Sequence, residues 1–400
     1  MIEENLEATV FASDAEKIAA IRAEMPAVRA CAYLNAGTNG PLPQRAHEAL
    51  LAETRRELEE GRITPERYPR ISAIKQEVRA HIATLLGCDP SEVALTHNTT
   101  EGMNIALMGL DWRPGDEAIT SWLEHPGGLY PLYLLRQRFG VRIRMTAIGS
   151  ESGDPVAELR QALTPRTRAV VLSHVSWSTG RVLPLRELAE VTHAAGALLI
   201  CDAAQSCGMV PSRMEELGVD AYACSGQKWL CGPDGTGALF VRCDRLGDIG
   251  QTYAGYASFA AHDNEGYFVP TKGAVRFEAA TLYPPSVAAL NASLEWIERE
   301  VGWAWAHARI AALGRACYDA LAVLPGVAMH TPRDEMAGLV HFAVEGIEPQ
   351  ELTKRLCERG IIIRHLADPA VNRVSTGFYN SEEDIARLAE GIREVGRAGA

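Results

Sequence analysis

The chain has 400 residues, of which 47% are hydrophobic and 22% charged, and 39 basic against 51 acidic side chains give a net charge of −12. This balance is ordinary for a globular protein and argues against a nucleic-acid or anionic-membrane surface. The sequence contains neither a membrane-spanning apolar run nor an N-terminal secretion pattern. Its nine cysteines form no CxxC pair, so we expect mostly buried thiols and a cytoplasmic protein.

Apolar strands alternate with amphipathic helices from about residue 46 to 245. This alternation predicts an α/β fold with a mainly parallel, seven-stranded sheet covered on both faces. The predicted strands are 93–96, 117–120, 141–147, 169–173, 197–201, 221–225 and 237–241. The predicted helices are 46–60, 71–86, one beginning near 100, 127–138, 155–163 and 185–195.

The pattern changes after Pro284-Pro285 to longer helices and shorter strands, which is typical of a smaller α+β domain. Its predicted helices are 286–299, 303–323, 351–359 and 381–396, and its predicted strands are 338–343, 361–364 and 372–375. The Gly/Pro-rich loop Tyr33–Pro43 belongs to an N-terminal segment that we expect to pack with this domain. The predicted division is therefore 1–45, 46–285 for the large domain and 286–400 for the small one.

A lysine and an aspartate occupy the ends of two predicted strands. Lys228 lies just after one strand, and Asp202 directly follows another. Pyridoxal 5′-phosphate (PLP) requires such a pair, because a lysine amine attaches the cofactor and a carboxylate pairs with its pyridinium nitrogen. Burial beside Trp229 and Leu230 would lower the pKa of the lysine, which favours this chemistry. The alternatives are a surface lysine and an aspartate that caps the next helix.

An anion cradle is predicted where a strand ends and a helix opens near residue 98. Free N–H groups and the helix dipole there favour a phosphate, and the hydroxyls of Thr99 and Thr100 add donors. Ser225 and Gln227, beside the lysine, could donate to the same phosphate. The alternative is an ordinary helix N-cap.

Two further side chains suit the cofactor ring. His125 ends a strand, where open α/β sheets place ligands, and its ring could stack on a flat cofactor. Gln205 could donate to the cofactor's phenolate oxygen. The alternatives are a structural histidine and a glutamine that caps its own turn.

Together these motifs, in this order, resemble the class V aminotransferase family of fold-type I PLP enzymes, over nearly the whole chain. The similarity is closest to the cysteine/cystine C–S lyase and isopenicillin N epimerase-like branch. The motifs that carry it are Tyr33–Gly37, Asn98–Gly102, Glu124-His125, Asp202–Gln205, Ser225–Lys228 and Arg276–Glu278.

The resemblance implies roles for the cofactor residues. Lys228 would carry PLP and Asp202 would pair with its pyridinium nitrogen. The other implied cofactor contacts are ring stacking by His125, a bond from Gln205 to O3′, and phosphate binding by Thr100 and Ser225. The family is usually dimeric with a shared active site, so Thr281 would reach the partner's phosphate. Gln227 departs from the histidine common before the lysine, and it cannot carry a proton.

The resemblance also narrows the reaction. Cysteine desulfurases carry a nucleophilic cysteine on a mobile loop, but the corresponding stretch 363–375 is short and has no cysteine. Cys357 precedes it on a predicted helix, where we expect a buried structural thiol. The short loop and the run Ser173–Gly180 are similar to the C–S lyase branch. We therefore expect Lys228 to remove the Cα proton of a cysteine, cystine or S-substituted cysteine, with release of a thiol or persulfide, pyruvate and ammonia.

An α-carboxylate needs a bidentate partner, and arginine provides one. Arg373 matches the family's carboxylate-binding arginine, and Arg364 either assists it or forms a surface ion pair. Asn35 and Gly37 could line the same cavity, and Trp177 either flanks the ring or belongs to the core. The alternative functions are an epimerase or aminotransferase, desulfurase-like sulfur transfer, a lyase for a bulky S-conjugate, and a non-catalytic PLP-binding partner protein. The conformations of loops 61–70 and 252–264 cannot be derived from the sequence.

Overall fold

The computed structural model describes residues 11–279 and 281–397, and its centre is a seven-stranded sheet. Six strands are parallel to one another, and Gly237–Val241 runs antiparallel to both of its neighbours. The mainly parallel α/β fold is thus confirmed. Across the sheet the order is Val93–Thr96, Gly237–Val241, Ala221–Ser225, Leu198–Asp202, Thr167–Ser173, Glu117–Ser121 and Arg142–Thr146.

Helices cover both faces of this sheet, and its inner strands are therefore buried on both sides. One face packs against Thr99–Met108 and Pro126–Phe139. Residues of four helices join the core on the other face, from Arg67–Leu86, Pro155–Ala162, Leu185–Ala194 and Pro284–Trp296. Short helices and 3-10 turns lie at Met214–Leu217, Pro90–Glu92, Cys243–Arg245 and Ala274–Phe277.

The C-terminal part is built on a four-stranded antiparallel sheet, as the predicted α+β unit requires. Its strands are, in order, Val327–Met329, Leu339–Val344, Ala370–Ser375 and Arg364–Ala367. The helices in this part are Trp303–Ala322, Pro349–Cys357 and Glu382–Arg397, with a 3-10 turn at Arg333–Glu335. The helix Pro284–Trp296 continues through a π-helical turn, Ile297–Val301, but it contacts Gln44–Glu60 and the large sheet's core.

The N-terminal segment contacts the C-terminal part. Helices Asp14–Glu24 and Pro26–Ala30 lead into the short strand Ala32–Tyr33, which pairs in parallel with Ile361–Ile362. The Arg22 guanidinium also lies 2.9 Å from the carboxylate of Asp384. These contacts support the proposed packing of this segment. The proposed domain division includes residues 1–10 and 398–400, which lie outside the described residues.

The sequence patterns missed the exposed hairpin formed by Phe259–His262 and Phe268–Pro270. Its first strand lies in the loop 252–264, whose conformation could not be derived from the sequence, and its second strand follows that loop. Among the residues that the structure describes, none of the helices combines the length and apolar character needed to span a membrane.

Candidate active site

A cavity of about 270 Å³ lies where the strands Leu198–Asp202 and Ala221–Ser225 end and the helix Thr99–Met108 begins. Open α/β sheets bind ligands at this edge. The structure brings most of the predicted site residues together there. Those that line the cavity are Gly37, Thr99, Thr100, His125, Trp177, Asp202, Gln205, Ser225, Gln227, Lys228, Arg364 and Arg373.

Lys228 lies in a turn that hydrogen bonds hold in place directly after its strand. Its carbonyl oxygen accepts from Cys231 N (3.1 Å), and the preceding Gln227 carbonyl accepts from Gly40 N (2.7 Å). Burial lowers the pKa of Lys228 to about 8, although the nearby Asp202 carboxylate raises it. A lysine whose amine loses its proton this easily is suited to forming a Schiff base.

Asp202 ends its strand with a buried carboxylate at the cavity wall. One oxygen, Oδ1, accepts from Ala204 N (2.9 Å). This bond fixes the carboxylate at the start of the following turn. Asp202 therefore has the position that a partner for a pyridinium nitrogen needs.

The His125 ring is fixed by the start of the next helix and by an aromatic neighbour. Its Nδ1 accepts from Gly127 N (3.0 Å), so the neutral ring carries its proton on Nε2. The ring meets Trp177 edge-on, with centroids 5.1 Å apart. Burial lowers the pKa of His125, which favours a neutral ring suited to stacking.

The hydroxyls at one end of the cavity lack partners. Thr99 Oγ1 and Ser225 Oγ are buried, and neither has a hydrogen-bond partner among the described residues. The first turn of the helix Thr99–Met108 adds N–H groups that have no acceptor within the helix. Buried polar groups are normally paired, so this end of the cavity fits an anionic group such as a phosphate.

The other end of the cavity is cationic. Arg373 is fully buried and Arg364 faces it across a tight hairpin. In the described part of the chain no carboxylate lies within 4 Å of either guanidinium, and Arg373 Nε has no partner. Burial and the charge of Arg364 lower the pKa of Arg373. An incoming carboxylate would offset both the burial of the Arg373 charge and its repulsion by Arg364.

Gln205 and Gly37 bring the N-terminal loop against the cavity. The Gln205 amide donates to the Gly37 carbonyl (2.9 Å) and accepts from Trp229 Nε1 (3.1 Å). A Cβ on Gly37 would lie 2.7 Å from Ser375 Oγ. Glycine is therefore required for this close approach. Among the described residues, the second amide N–H of Gln205 has no acceptor, so it is available to donate to a ligand.

Two of the predicted residues do not line the cavity. Asn35 is absent from the lining, but its side chain accepts from the hydroxyl of Thr38, which does line the cavity (2.8 Å). Thr281 is exposed and lines a separate cavity of about 340 Å³ beside Tyr68 and Tyr256. Ala280, in the run before Thr281, lies outside the described residues.

The sequence patterns missed several cavity residues and the role of one buried acid. The unassigned cavity residues are Thr38, Asn39, Asn98 and Ala204. Glu124, beside His125, is buried and accepts from the backbone and hydroxyl of Ser173. Burial raises the pKa of Glu124 to about 7. The motif Glu124-His125 drew attention to this residue, but the sequence did not predict its contact with Ser173 on another strand.

The segment that carries the two arginines is a tight hairpin. The strands Arg364–Ala367 and Ala370–Ser375 are joined by only two residues and contain no cysteine. Cys357 ends the helix Pro349–Cys357 and is exposed. The expectation of a buried Cys357 thiol was therefore wrong, because Leu352 and Leu356 form the buried side of this helix and Cys357 lies outside it.

A lysine of lowered pKa, a buried carboxylate and unpaired hydroxyls at a helix N-terminus fit PLP, which needs all three. The fold and this site define a fold-type I PLP-dependent enzyme. The chain belongs to the class V aminotransferase family, whose sequence profile, described as "Aminotransferase class-V", matches residues 32–388.

Individual relatives agree with this assignment. A probable cysteine desulfurase from Methanothermobacter thermautotrophicus is 28% identical over 95% of this chain and 98% of its own. The cystine C–S lyase C-DES, solved with its product cysteine persulfide, has a TM-score of 0.86 and 34% identity, covering 92% of this chain and 99% of that chain. A C-DES variant with glycine covalently linked to its PLP cofactor has a TM-score of 0.87 and 33% identity, and it covers the same shares of the two chains. The chain is therefore a PLP-dependent enzyme of the cysteine C–S lyase and desulfurase group.

Proposed function

We propose that the chain is a C–S lyase that acts on cysteine, cystine or an S-substituted cysteine by β-elimination. The substrate and one water give a thiol or persulfide, pyruvate and ammonia. The observation that carries this proposal is the two-residue turn between Arg364–Ala367 and Ala370–Ser375. In the described part of the chain, no cysteine lines the cavity, so none is placed to take sulfur from the substrate. The likeness to C-DES supports the same conclusion.

The residues of the cavity divide the work. Bound PLP supplies an electron sink for the charge that develops at the substrate Cα. Arg373 and Arg364 hold the substrate carboxylate, which orients the Cα–H bond. Lys228 Nζ, with a pKa of about 8, takes the Cα proton. Sulfur then leaves as a thiolate, which the low pKa of thiols makes a good leaving group.

Phosphate binding and ring contacts complete the proposal. Thr99, Thr100 and Ser225 would hold the phosphate of PLP, and Gln227, which also lines the cavity, could donate to it. His125 would stack on the ring. Trp177 would flank it, since its indole meets the edge of His125.

We also propose a homodimer in the cytoplasm. Thr281 lies outside its own chain's cavity and is exposed, so it is free to reach the phosphate of a second copy. Five of the nine cysteines are buried and none is bridged within the described residues, which fits a reducing compartment. The partners are thus a small amino acid and a second copy of the chain.

A panel of cysteine derivatives, assayed for pyruvate and thiol without a keto-acid acceptor, tests the reaction. We expect pyruvate in a 1:1 ratio with persulfide from cystine, or with thiol from an S-alkylcysteine. Turnover that depends on a keto acid would indicate an aminotransferase, and racemised substrate without pyruvate would indicate an epimerase. Lys228→Ala should abolish both turnover and the visible absorption band of lysine-bound PLP. A colourless wild-type protein would contradict the whole assignment.

A further inference from the structure

We infer that Thr38 is a positioning residue that holds both arginines of the cavity in place and thereby sets the affinity for amino acids through their carboxylate. This inference rests on the proposed function in one respect, since it takes the anion at Arg373 to be an amino-acid carboxylate. Thr38 was not predicted from the sequence; it belongs to the loop Tyr33–Pro43 and lines the cavity together with both arginines.

The Thr38 hydroxyl makes three hydrogen bonds. It accepts from Arg364 Nη1 (3.1 Å) and from Arg373 Nη2 (3.2 Å), and it donates to Asn35 Oδ1 (2.8 Å). A hydroxyl has two lone pairs and one proton. Because the two arginines occupy both lone pairs, the proton must go to Asn35. Every hydrogen-bonding position of the group is therefore used.

The backbone holds Thr38 where this is possible. Thr38 N donates to the Asn35 carbonyl (3.0 Å), which closes a tight turn. Asn35 itself forms a bridge to Ser375 on the strand that carries Arg373. The loop and the arginine strand are thus joined at two points, one through the backbone and one through the Thr38 hydroxyl.

The two arginines need such a partner because they repel each other. They are directly opposite in adjacent antiparallel strands, and like charges at that position are unfavourable. Arg364 is exposed, so without Thr38 its long side chain would gain rotamer freedom by turning into water. Among the described residues, Arg373 would then keep a single hydrogen bond, the 3.5 Å contact to the Trp177 carbonyl.

Holding both guanidiniums before the substrate arrives removes an ordering cost from binding. The substrate keeps its carboxylate throughout the reaction, so this stabilisation is equal in the ground state and the transition state. Such an interaction lowers KM and leaves kcat unchanged. Thr38 should therefore act on affinity for the carboxylate and not on proton transfer.

The test is the binding of glycine and glycinamide to the PLP-loaded protein, followed by the change in PLP absorption. Thr38→Val keeps the shape of the side chain but removes the hydroxyl. We expect it to weaken glycine binding on the order of 10-fold, as for the loss of hydrogen bonds to charged groups. Glycinamide binding should stay unchanged. Thr38→Ser keeps the hydroxyl and should bind glycine like the wild type.

Two outcomes would overturn the inference. Equal losses for glycine and glycinamide would mean that Thr38 is merely structural, and unchanged glycine binding would mean that the arginines do not depend on it. Asn35→Ala provides a second variant, which removes the acceptor of the Thr38 proton and should selectively weaken glycine binding as well. Glycine has no leaving group, so its binding is independent of elimination. Intact glycine binding without pyruvate release would contradict the proposed function alone.

Discussion

At the scale of single residues, the chemistry depends on the charges around Lys228. Burial lowers the pKa of its amine to about 8, and the charges of Arg373 and Arg364 act in the same direction. Asp202 opposes them. The amine is therefore neutral in mildly alkaline solution, where an exposed lysine with a pKa near 10.5 is still protonated.

This pKa predicts how the PLP-free protein takes up its cofactor. Only the neutral amine attacks the aldehyde of PLP, so the rate of uptake should rise with pH and level off above about pH 8. Asp202→Asn removes a charge that raises the Lys228 pKa, and it should move the midpoint to lower pH. Stopped-flow absorption measures both, with N-acetyl-lysine amide as the control amine. A rate that still climbs at pH 10 would contradict the lowered pKa.

The residues that the sequence predicts best are those fixed by their own strand end. Lys228 and Asp202 follow apolar strands, so the periodicity of the chain already places them at one sheet edge. Thr38 could not be found this way. Its role comes from a hydrogen bond to Arg364, which is 326 positions away. This bond joins a loop to a hairpin, and no local sequence pattern predicts how those two segments lie relative to each other.

At the scale of elements, the turn at Lys228 depends on the loop that crosses it. Gly40 N donates to the Gln227 carbonyl (2.7 Å), and a Cβ on Gly40 would overlap the Lys228 carbonyl oxygen. The backbones can approach this closely only because Gly40 has no side chain. The N-terminal loop therefore holds the lysine turn from outside the sheet.

Gly40→Ala should separate this loop from the lysine turn. We expect a loss of stability of about 1–3 kcal/mol, typical of overpacking, and weaker PLP binding. Thermal unfolding and a PLP titration measure the two effects. The matched control is Gly247→Ala, because a Cβ there meets nothing within 4 Å. Equal behaviour of the two variants would contradict the close contact.

The position of Cys357 predicts that this thiol takes no part in sulfur release. That thiol ends the helix Pro349–Cys357 and is absent from the cavity lining, so it cannot take sulfur from a bound substrate. Cys357→Ser should therefore release sulfur and pyruvate as fast as the wild type, measured with cystine. Loss of sulfur release in this variant would instead indicate a desulfurase-like relay through Cys357.

Regular elements were predictable and contacts between them were not. The inner strands of the large sheet were expected within a few residues because buried strands are continuous apolar runs. The hairpin Phe259–His262 with Phe268–Pro270 was missed because its residues are largely exposed and carry no burial pattern. The helix Pro284–Trp296 was assigned to the small domain by its place in the chain, yet it contributes to the large sheet's core.

At the scale of the whole molecule, exposed aromatic residues mark the surface that bears Thr281. Tyr256 is fully exposed and Tyr68 is 64% exposed, and both line the 340 Å³ cavity that Thr281 also lines. Large exposed apolar groups beside a cavity are typical of protein–protein contacts. We expect this surface to be the interface of the proposed dimer.

Tyr256→Glu tests this expectation, because a charge buried without a partner strongly opposes association. Sedimentation should show the wild type at twice the 43.4 kDa chain mass and the variant shifted towards that mass. Its PLP affinity should fall too, since Thr281 would no longer reach a second copy. Val323→Glu is the control, as Val323 is 75% exposed and follows the helix Trp303–Ala322. A monomeric wild type with full PLP affinity would show that each chain completes its own site and that Thr281 has no part in it.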